Sequence, residues 1–441
     1  MIKKGDKKLI RGWVFYDWAN SVYNLVISSA VFPIFYDNIT TKRYLTEKGW
    51  ENLPEGQDVM VSFFGLETSN SSLMAYVLSA SFLIVSILSP MLSGVADFSG
   101  NKKRFLQFFA YLGATACITL YFFQDVPIEV GMLSVFFASI GFWNSLVFYN
   151  AYLPEIVEPD QHDKISARGF SMGYFGSMIA LVLCLLIIMF TGENGSNTKW
   201  SFILVGLWWI GFSQITYKVL PNNVYDRKPE KKVLLKGFRE LKSVFSQFKQ
   251  TYRLKRFLRA FFFYNTGVQT VMLMAVIFAK KEVDWGEAGG DTGLIIAILL
   301  IQILGAVGAF VMSRLSGWIG NVKTLGVSVV IWIGICVGAY LVTTPNQFYV
   351  LASTVGLVMG GVQALSRSTY SKFLPETEDH ASFFSFYDVT EKIGIVIGTF
   401  VFGFMDAYMG SIRYSVISVA VFFVIGLLFL FFIPKKEHIQ A

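Results

Sequence analysis

The chain has 441 residues, of which 54% are hydrophobic, 17% aromatic and only 15% charged, with a formal net charge of +7. Its mean hydropathy is +0.53, whereas a soluble protein carries about a quarter charged residues. Those figures speak against a soluble multidomain enzyme, a secreted disulfide scaffold and a disordered regulator, and for a polytopic membrane protein.

Cys117, Cys184 and Cys336 lie far apart inside apolar runs and read as core side chains, not as a disulfide framework or metal site. His162, His380 and His438 form no ligand-like pair, so neither a metal nor another cofactor is expected.

A hydrocarbon layer of about 30 Å takes about 20 apolar residues per helix. Such runs recur at 14–36, 71–93, 105–124, 130–150, 168–190, 200–219, 257–279, 292–313, 324–343, 348–369, 382–405 and 412–433. The reading is an all-α protein with twelve transmembrane helices, the basic Met1–Arg11 preceding a retained first span. An even number of spans puts both termini on one side. Lys and Arg number 29 in the termini and the even-numbered turns against 7 in the other loops, with Lys392 inside a span. The positive-inside rule then places both termini in the cytoplasm. It also accounts for the basic balance with no nucleic-acid partner.

Along the chain, Asp17 opens span one and is followed by Asn20 at i+3 and Asn24 at i+7, a polar stripe that must face protein or water. Helix capping is the structural alternative for Asp17. Residues 37–70 read as an outer loop. Between spans two and three, Gly94 and Gly100 would permit a tight cytoplasmic turn, and Arg104 belongs to the same basic turn. Asp97 there can accept hydrogen bonds from helix N-termini or from a basic side chain of the other half, latching a gate; a plain topology-setting loop is the alternative. Asn144 in span four and Gln302 in span eight are isolated polar candidates.

Thirteen Lys and Arg fall between Lys218 and Arg259. Leu234, Phe238, Leu241, Phe245, Phe248 and Tyr252 recur there at helical spacing. A basic amphipathic helix is expected, braced on the cytoplasmic surface against anionic headgroups. The domain reading is a six-helix half over 1–219, this linker over 220–256, and a second half over 257–441.

In span seven, Asn265 and Gln269 lie at i, i+4, and in span ten so do Gln363 and Arg367, the latter expected to reach the cytoplasmic surface in a gate or topology role. Span eleven holds Asp388, Glu391 and Lys392 at i, i+3 and i+4. At 1.5 Å per residue Lys392 lies about 15 Å deep, near the midplane. A charge there costs several kcal/mol unless paired, so a substrate or coupling site and a structural pair both satisfy the pattern.

The halves repeat. Tyr149-Asn150-Ala151-Tyr152-Leu153-Pro154-Glu155 matches Tyr370-Ser371-Lys372-Phe373-Leu374-Pro375-Glu376 at an offset of 221, which also carries Gly173 onto Gly394. Ser93–Lys102 compares with Ser316–Lys323, where the counterpart of Asp97 is lost. A duplicated parallel six-helix unit is the plan of the major facilitator superfamily.

The Gly94–Arg104 turn resembles that superfamily's signature loop. More narrowly, the chain resembles the bacterial UMF (unknown major facilitator) family and its relative, a yeast vacuolar amino-acid effluxer of the autophagy group. The resemblance rests on Tyr16-Asp17-Trp18-Ala19-Asn20-Ser21, on Arg168-Gly169-Phe170 with Gly173-Tyr174, and on Tyr264–Thr270. It continues in Gly360–Arg367 and in Phe383–Asp388 with Lys392. The family often has Asp where this chain has Thr266.

The resemblance implies a transporter, with amino acids as candidate cargo and Arg168 and Arg367 among the gate residues. The expected function is secondary transport of a small polar solute by alternating access, proton-coupled, in a monomer within the bacterial inner membrane. Lys392 would meet a substrate carboxylate, and Glu391 or Asp388 an ammonium or a proton. Peptides, cell-wall fragments or amphipathic drugs are the alternative cargo. An intramembrane enzyme or a receptor ranks lower, because no nucleophile or metal constellation is present in the sequence and large extramembrane domains are absent.

Overall fold

The computed structural model describes residues 3–54, 57–190, 197–227, 233–286 and 290–435, with the side chains at 190, 233–240, 290–291 and 407 outside that description. Leu234, Phe238 and His438 of the sequence reading therefore fall outside the described side chains.

The first expected span is built differently from the reading. Helix α1 (Lys7–Val22) runs into a π-helical segment, Tyr23–Ala30, and then into α2 (Val31–Lys48). Ser29 Oγ donates to Asn24 O at 2.9 Å, a five-residue step that matches the widened turn. The expected outer loop is helix as far as Lys48, where Gly49 at φ +68° ends it. A hairpin follows, β1 (Met60–Phe63) paired antiparallel with β2 (Leu66–Ser69).

Next come α3 (Asn70–Ser99), α4 (Lys102–Thr119), α5 (Ile128–Ala151), the short α6 (Leu153–Ile156), α7 (His162–Phe190) and α8 (Lys199–Val219). Gly94 is not a turn residue. It lies inside α3, and the reversal is made at Gly100, whose φ of +68° is open to glycine at no steric cost. The linker helix α9 (Val233–Gln250) leads into α10 (Tyr252–Glu282), α11 (Gly290–Ile319), α12 (Asn321–Leu341), α13 (Pro345–Lys372), α14 (His380–Met409) and α15 (Ile412–Phe431).

Among the described residues, ten helices are long and apolar enough to cross a membrane. The expected spans one and eleven are not among them. The first is broken by its π segment, and the eleventh carries Asp388, Glu391 and Lys392 within five positions.

Within the first half, α1 packs on α7 and α8, and α4 on α5 and α8; within the second, α11 packs on α13, and α10 and α12 on α15. The halves meet along two seams, α7 against α11 and α13, and α3 with α5 against α14. The first and last described segments, near Gly5 and Phe432, lie at one end of the bundle, here the terminal end. Gly5 N donates to Ile156 O at 2.8 Å, and Arg256 Nη1 donates to Phe432 O at 2.6 Å. Helix α9 lies on α3 and reaches α14, where Phe245 and Phe248 pack on Phe386 at 5.9 and 5.6 Å between ring centroids. Val244 is fully buried. Among the described side chains of α9, Val244 and Phe248 thus pack on protein, while Phe245 stays 45% exposed, so part of the face expected against headgroups is covered by protein.

Candidate functional site

A cavity of about 230 Å³ lies between the halves. Of the sequence candidates, Asp17, Asn20, Asn265, Gln269, Gln302, Gln363, Arg367 and Glu391 line it. The broken first helix brings Asn24, Ser28 and Ser29 to the wall as well. Asn144, Asp388 and Lys392 do not line it and form a layer behind.

The terminal side of the cavity rests on Arg367. Contrary to the expectation of a surface position, it is 2% exposed. Its Nη1 and Nη2 each lie 3.2 Å from Asp17 Oδ2, its Nε donates to Ser166 Oγ at 2.9 Å, and its Nη2 to Ser166 O at 2.9 Å. Tyr149 Oη donates to the same Asp17 oxygen at 2.7 Å. The guanidinium also sits over the rings of Phe170 and Trp13, at 4.2 and 4.8 Å. Every one of these partners belongs to the first half, so Arg367 bolts α13 to α1 and α7. A Cβ at Gly169 would collide with Asp17 Oδ2 and with Arg367 Nη2, which is why glycine stands there.

The opposite wall is carried by α14. Glu391 Oε1 accepts from Gln269 Nε2 at 2.7 Å and Asn265 Nδ2 at 3.4 Å, and its Oε2 from Lys392 Nζ at 3.1 Å. Lys392 is fully buried, 3.2 Å from Asp388 Oδ1 and 3.3 Å from the centroid of Trp143. Ser89 Oγ ties the layer to α3 and α5, 3.0 Å from Asp388 Oδ2 and 3.1 Å from Asn144 Oδ1. Trp143 itself lines the cavity, so it stands between the ammonium and the space. The expected direct contact of Lys392 with a substrate is not what this packing offers; Glu391 is the group that faces inward. Three carboxylates (Asp17, Asp388 and Glu391) thus meet two cations (Arg367 and Lys392).

Below the cavity the terminal end is closed by two latches. Asp97 Oδ1 and Oδ2 accept from Ala381 N and Ser382 N at 3.2 and 2.7 Å, the free amides opening α14. Lys102 pairs with Glu155 and lies 3.7 Å from Asp97. His380 Nδ1 lies 3.2 Å from both Glu155 Oε1 and Tyr225 Oη.

The linker joins in, with Arg227 donating to Asp97 O at 2.8 Å and to Asp379 at 2.9 Å. Burial opposes the Arg227 charge, but Asp379 and Glu378 hold its pKa above the ordinary arginine value. Burial, with Glu155 nearby, pushes the Tyr225 hydroxyl up.

At the second latch the polarity is reversed. The acid is Asp163 of α7, and the lost counterpart of Asp97 leaves donors on the loop. Ser316, Asn321, Ser368 and Lys372 approach Asp163 at 3.0, 2.6, 2.7 and 2.6 Å. Arg104 and Arg168, expected at the gate, are exposed, and neither joins these contacts.

Asp163, Glu155, Ser166, Gly169 and Tyr149 were absent from the sequence reading of the site. Glu155 and Tyr149 lay in the repeated string, and Gly169 in the family string, so a signal existed without a partner to interpret it. Thr266 is fully buried against Gly394 and Gly398 of α14, its hydroxyl 2.6 Å from Phe262 O. Among the described residues no cluster of three or more His, Cys, Asp or Glu could hold a metal ion.

Comparisons with known proteins agree with this architecture. In solved structures, 97% of the chain superposes on the E. coli fucose:proton symporter FucP with TM-score 0.65 at 15% identity, covering 98% of that chain. The proton:xylose symporter XylE gives TM-score 0.68 at 12% identity, over 98% of this chain and 95% of that one. Both are major facilitator superfamily folds and transporters, not enzymes. By sequence, the chain is 30% identical over 446 residues to the uncharacterized MFS-type transporter YxiO of Bacillus subtilis, across 99% of this chain and 97% of the relative. Autophagy-related protein 22 of Coccidioides immitis is 24% identical, over 92% of this chain and 83% of that one. The model of the family described as "Vacuole effluxer Atg22 like" matches residues 5–441. The chain belongs to this Atg22-like family of major facilitator superfamily transporters.

Proposed function

We propose that the protein is a monomeric, proton-coupled secondary transporter that exports a small amine-bearing solute, an amino acid or a molecule of that size, by alternating access. The reading keeps twelve spans in a bacterial inner membrane, and the strong Lys and Arg asymmetry supports placing both termini in the cytoplasm. On that orientation the latched terminal end is the cytoplasmic gate, and the cavity faces outward.

The observation that carries the reading is the charge balance at α14. Glu391 and Asp388 share one ammonium, that of Lys392. Two carboxylates beside one cation in a buried site hold a negative charge that a proton or a substrate ammonium neutralises. Binding of either at Glu391 excludes the other, and that competition is the elementary requirement for exchange. The Asn265 and Gln269 amides donate to Glu391 and orient it toward the cavity. Arg367, saturated by Asp17 and Ser166, acts as the bolt and leaves substrate charge to the other wall.

The test is uptake and counterflow of labelled amino acids and simple amines in proteoliposomes with an imposed pH gradient. The expected result is accumulation against the solute gradient, driven by protons, and its loss in Glu391→Gln together with a weakened solute exchange at equal pH, because one carboxylate holds both the proton and the ammonium. Proton-driven accumulation undiminished in Glu391→Gln would overturn the assignment.

A further inference from the structure

A second space, of about 1090 Å³, adjoins the cavity on the side away from the termini and shares Ser29, Val276 and Ile298 with it. Its shape follows from the α7–α11 seam. That seam is closed by Ser171 Oγ to Ala306 O at 2.9 Å and by Ser177 Oγ to Gln302 Oε1 at 3.1 Å. Beyond that bond Leu181 and Leu185 of α7 and Ile298 and Leu294 of α11 line the space. Leu185 and Leu294 are each eight residues past the bond, about 12 Å along their helices. One leaflet of hydrocarbon is about 15 Å deep, so the apolar cleft is as deep as one acyl chain layer.

The third wall is α2, where Ile34 and Ile39 continue the apolar lining up to Lys42 and Glu47. From Ala30 to Lys42 is about 18 Å at helical rise, which reaches the headgroup layer of a bilayer about 40–45 Å thick overall. The rim there carries both signs, Lys42 with Glu47 and Asp125. Arg43 is held by the carbonyls of Phe123, Gln124 and Val126 at 3.0, 2.9 and 3.1 Å and stiffens that rim.

We propose that this cleft is a binding site for a single-chain zwitterionic lipid of the outer leaflet, its acyl chain between α7 and α11 and its headgroup at Lys42, Glu47 and Asp125. An apolar wall one leaflet deep, topped by charges of both signs at headgroup level, matches that molecule and matches neither a free amino acid nor a two-chain anionic lipid. The site is separate from the Glu391 wall and does not depend on what is carried there. It does rest on the membrane orientation proposed above.

The experiment uses the full chain in nanodiscs with a photoreactive lysophosphatidylcholine, the adducts being mapped by peptide mass spectrometry. Labelling is expected on α7 near Leu181–Ile188 and on α11 near Leu294–Ile298. It should fall at least tenfold in Leu185→Trp, which fills the cleft, and persist in Leu185→Ala, with both variants checked for monodisperse elution. Competition by unlabelled lysophosphatidylcholine, and none by glycerophosphocholine, is the expected pattern. Labelling spread over the lipid-facing surface and unchanged by Leu185→Trp, or competition by glycerophosphocholine as strong as by the lysolipid, would overturn the proposal. Failure of amino acid transport in the separate liposome assay would leave this result standing, so the two readings fail independently.

Discussion

At the residue scale the buried charges set what each substitution does. Lys392 has no exposure and holds two carboxylates on one helix. Lys392→Met leaves Asp388 buried without its cation, while Glu391 keeps the cavity and its amide donors, and breaking a buried pair in this way costs about 3–5 kcal/mol. Thermal denaturation in detergent is expected to show that loss, with a large part recovered in the double variant Lys392→Met, Asp388→Asn. No recovery would mean that Lys392 acts through packing on Trp143 instead. Gly169→Ala is the complementary case, because its Cβ enters the Asp17–Arg367 pair. Overpacking of this kind costs about 1–3 kcal/mol. The expected readout is faster labelling of Ser166→Cys by a cytoplasmic maleimide when Gly169→Ala is added.

At the element scale, helix ends do the latching. Asp97 meets the first amides of α14, where free N–H groups and the helix dipole favour an anion. Asp97→Asn keeps the shape and removes the charge, weakening hydrogen bonds worth about 1.5–3 kcal/mol when charged. Spin labels on the exposed Arg104 and Lys323, one in each half, should then report a larger long-distance population; an unchanged distance distribution would assign the closure to Asp163 alone. The π segment belongs to this scale too. It turns Asn24, Ser28 and Ser29 toward the cavity by spending regular helix pairing, a feature that recurs at functional sites. The strand hairpin and the extension of α2 outside the apolar region were not legible from hydropathy. Once the chain leaves the apolar layer, the 20-residue rule no longer constrains it, and local caps such as Gly49 decide where the helix stops.

At the scale of the whole molecule, the closed end and the open cleft are consequences of one arrangement of two halves. Ala167, Ala309 and Ala364 form a small fully buried cluster where α7, α11 and α13 meet. The pair Ala167→Cys, Ala364→Cys is expected to cross-link readily in this state and to abolish transport until reduced. The three native cysteines are all buried, which keeps the background low. Transport persisting in the fully cross-linked protein would refute rocking of the halves at this seam.

The rough position of ten of the twelve expected spans was readable from the sequence, because the transfer of apolar side chains out of water is nearly additive and local. The duplication was readable because an offset of 221 is a property of the string alone. Glu391 became a site candidate through the cost of placing charge in a bilayer, Asp17 through its polar stripe and the family string, and Arg367 only as a gate or topology residue expected at the surface. Their partners did not follow. Arg367 and Asp17 are 350 positions apart, and whether such groups meet depends on how two six-helix units pack, to a precision of a few tenths of an ångström. The same holds for Lys392, whose need for a buried partner was legible while the ring of Trp143 between it and the cavity was not. Hydropathy sums over a window, whereas an ion pair is decided by a single distance in a low-dielectric interior. For that reason the sequence alone determined the class and the candidates, and only the tertiary structure decided which charge lines the cavity and which is locked in an ion pair between the helices.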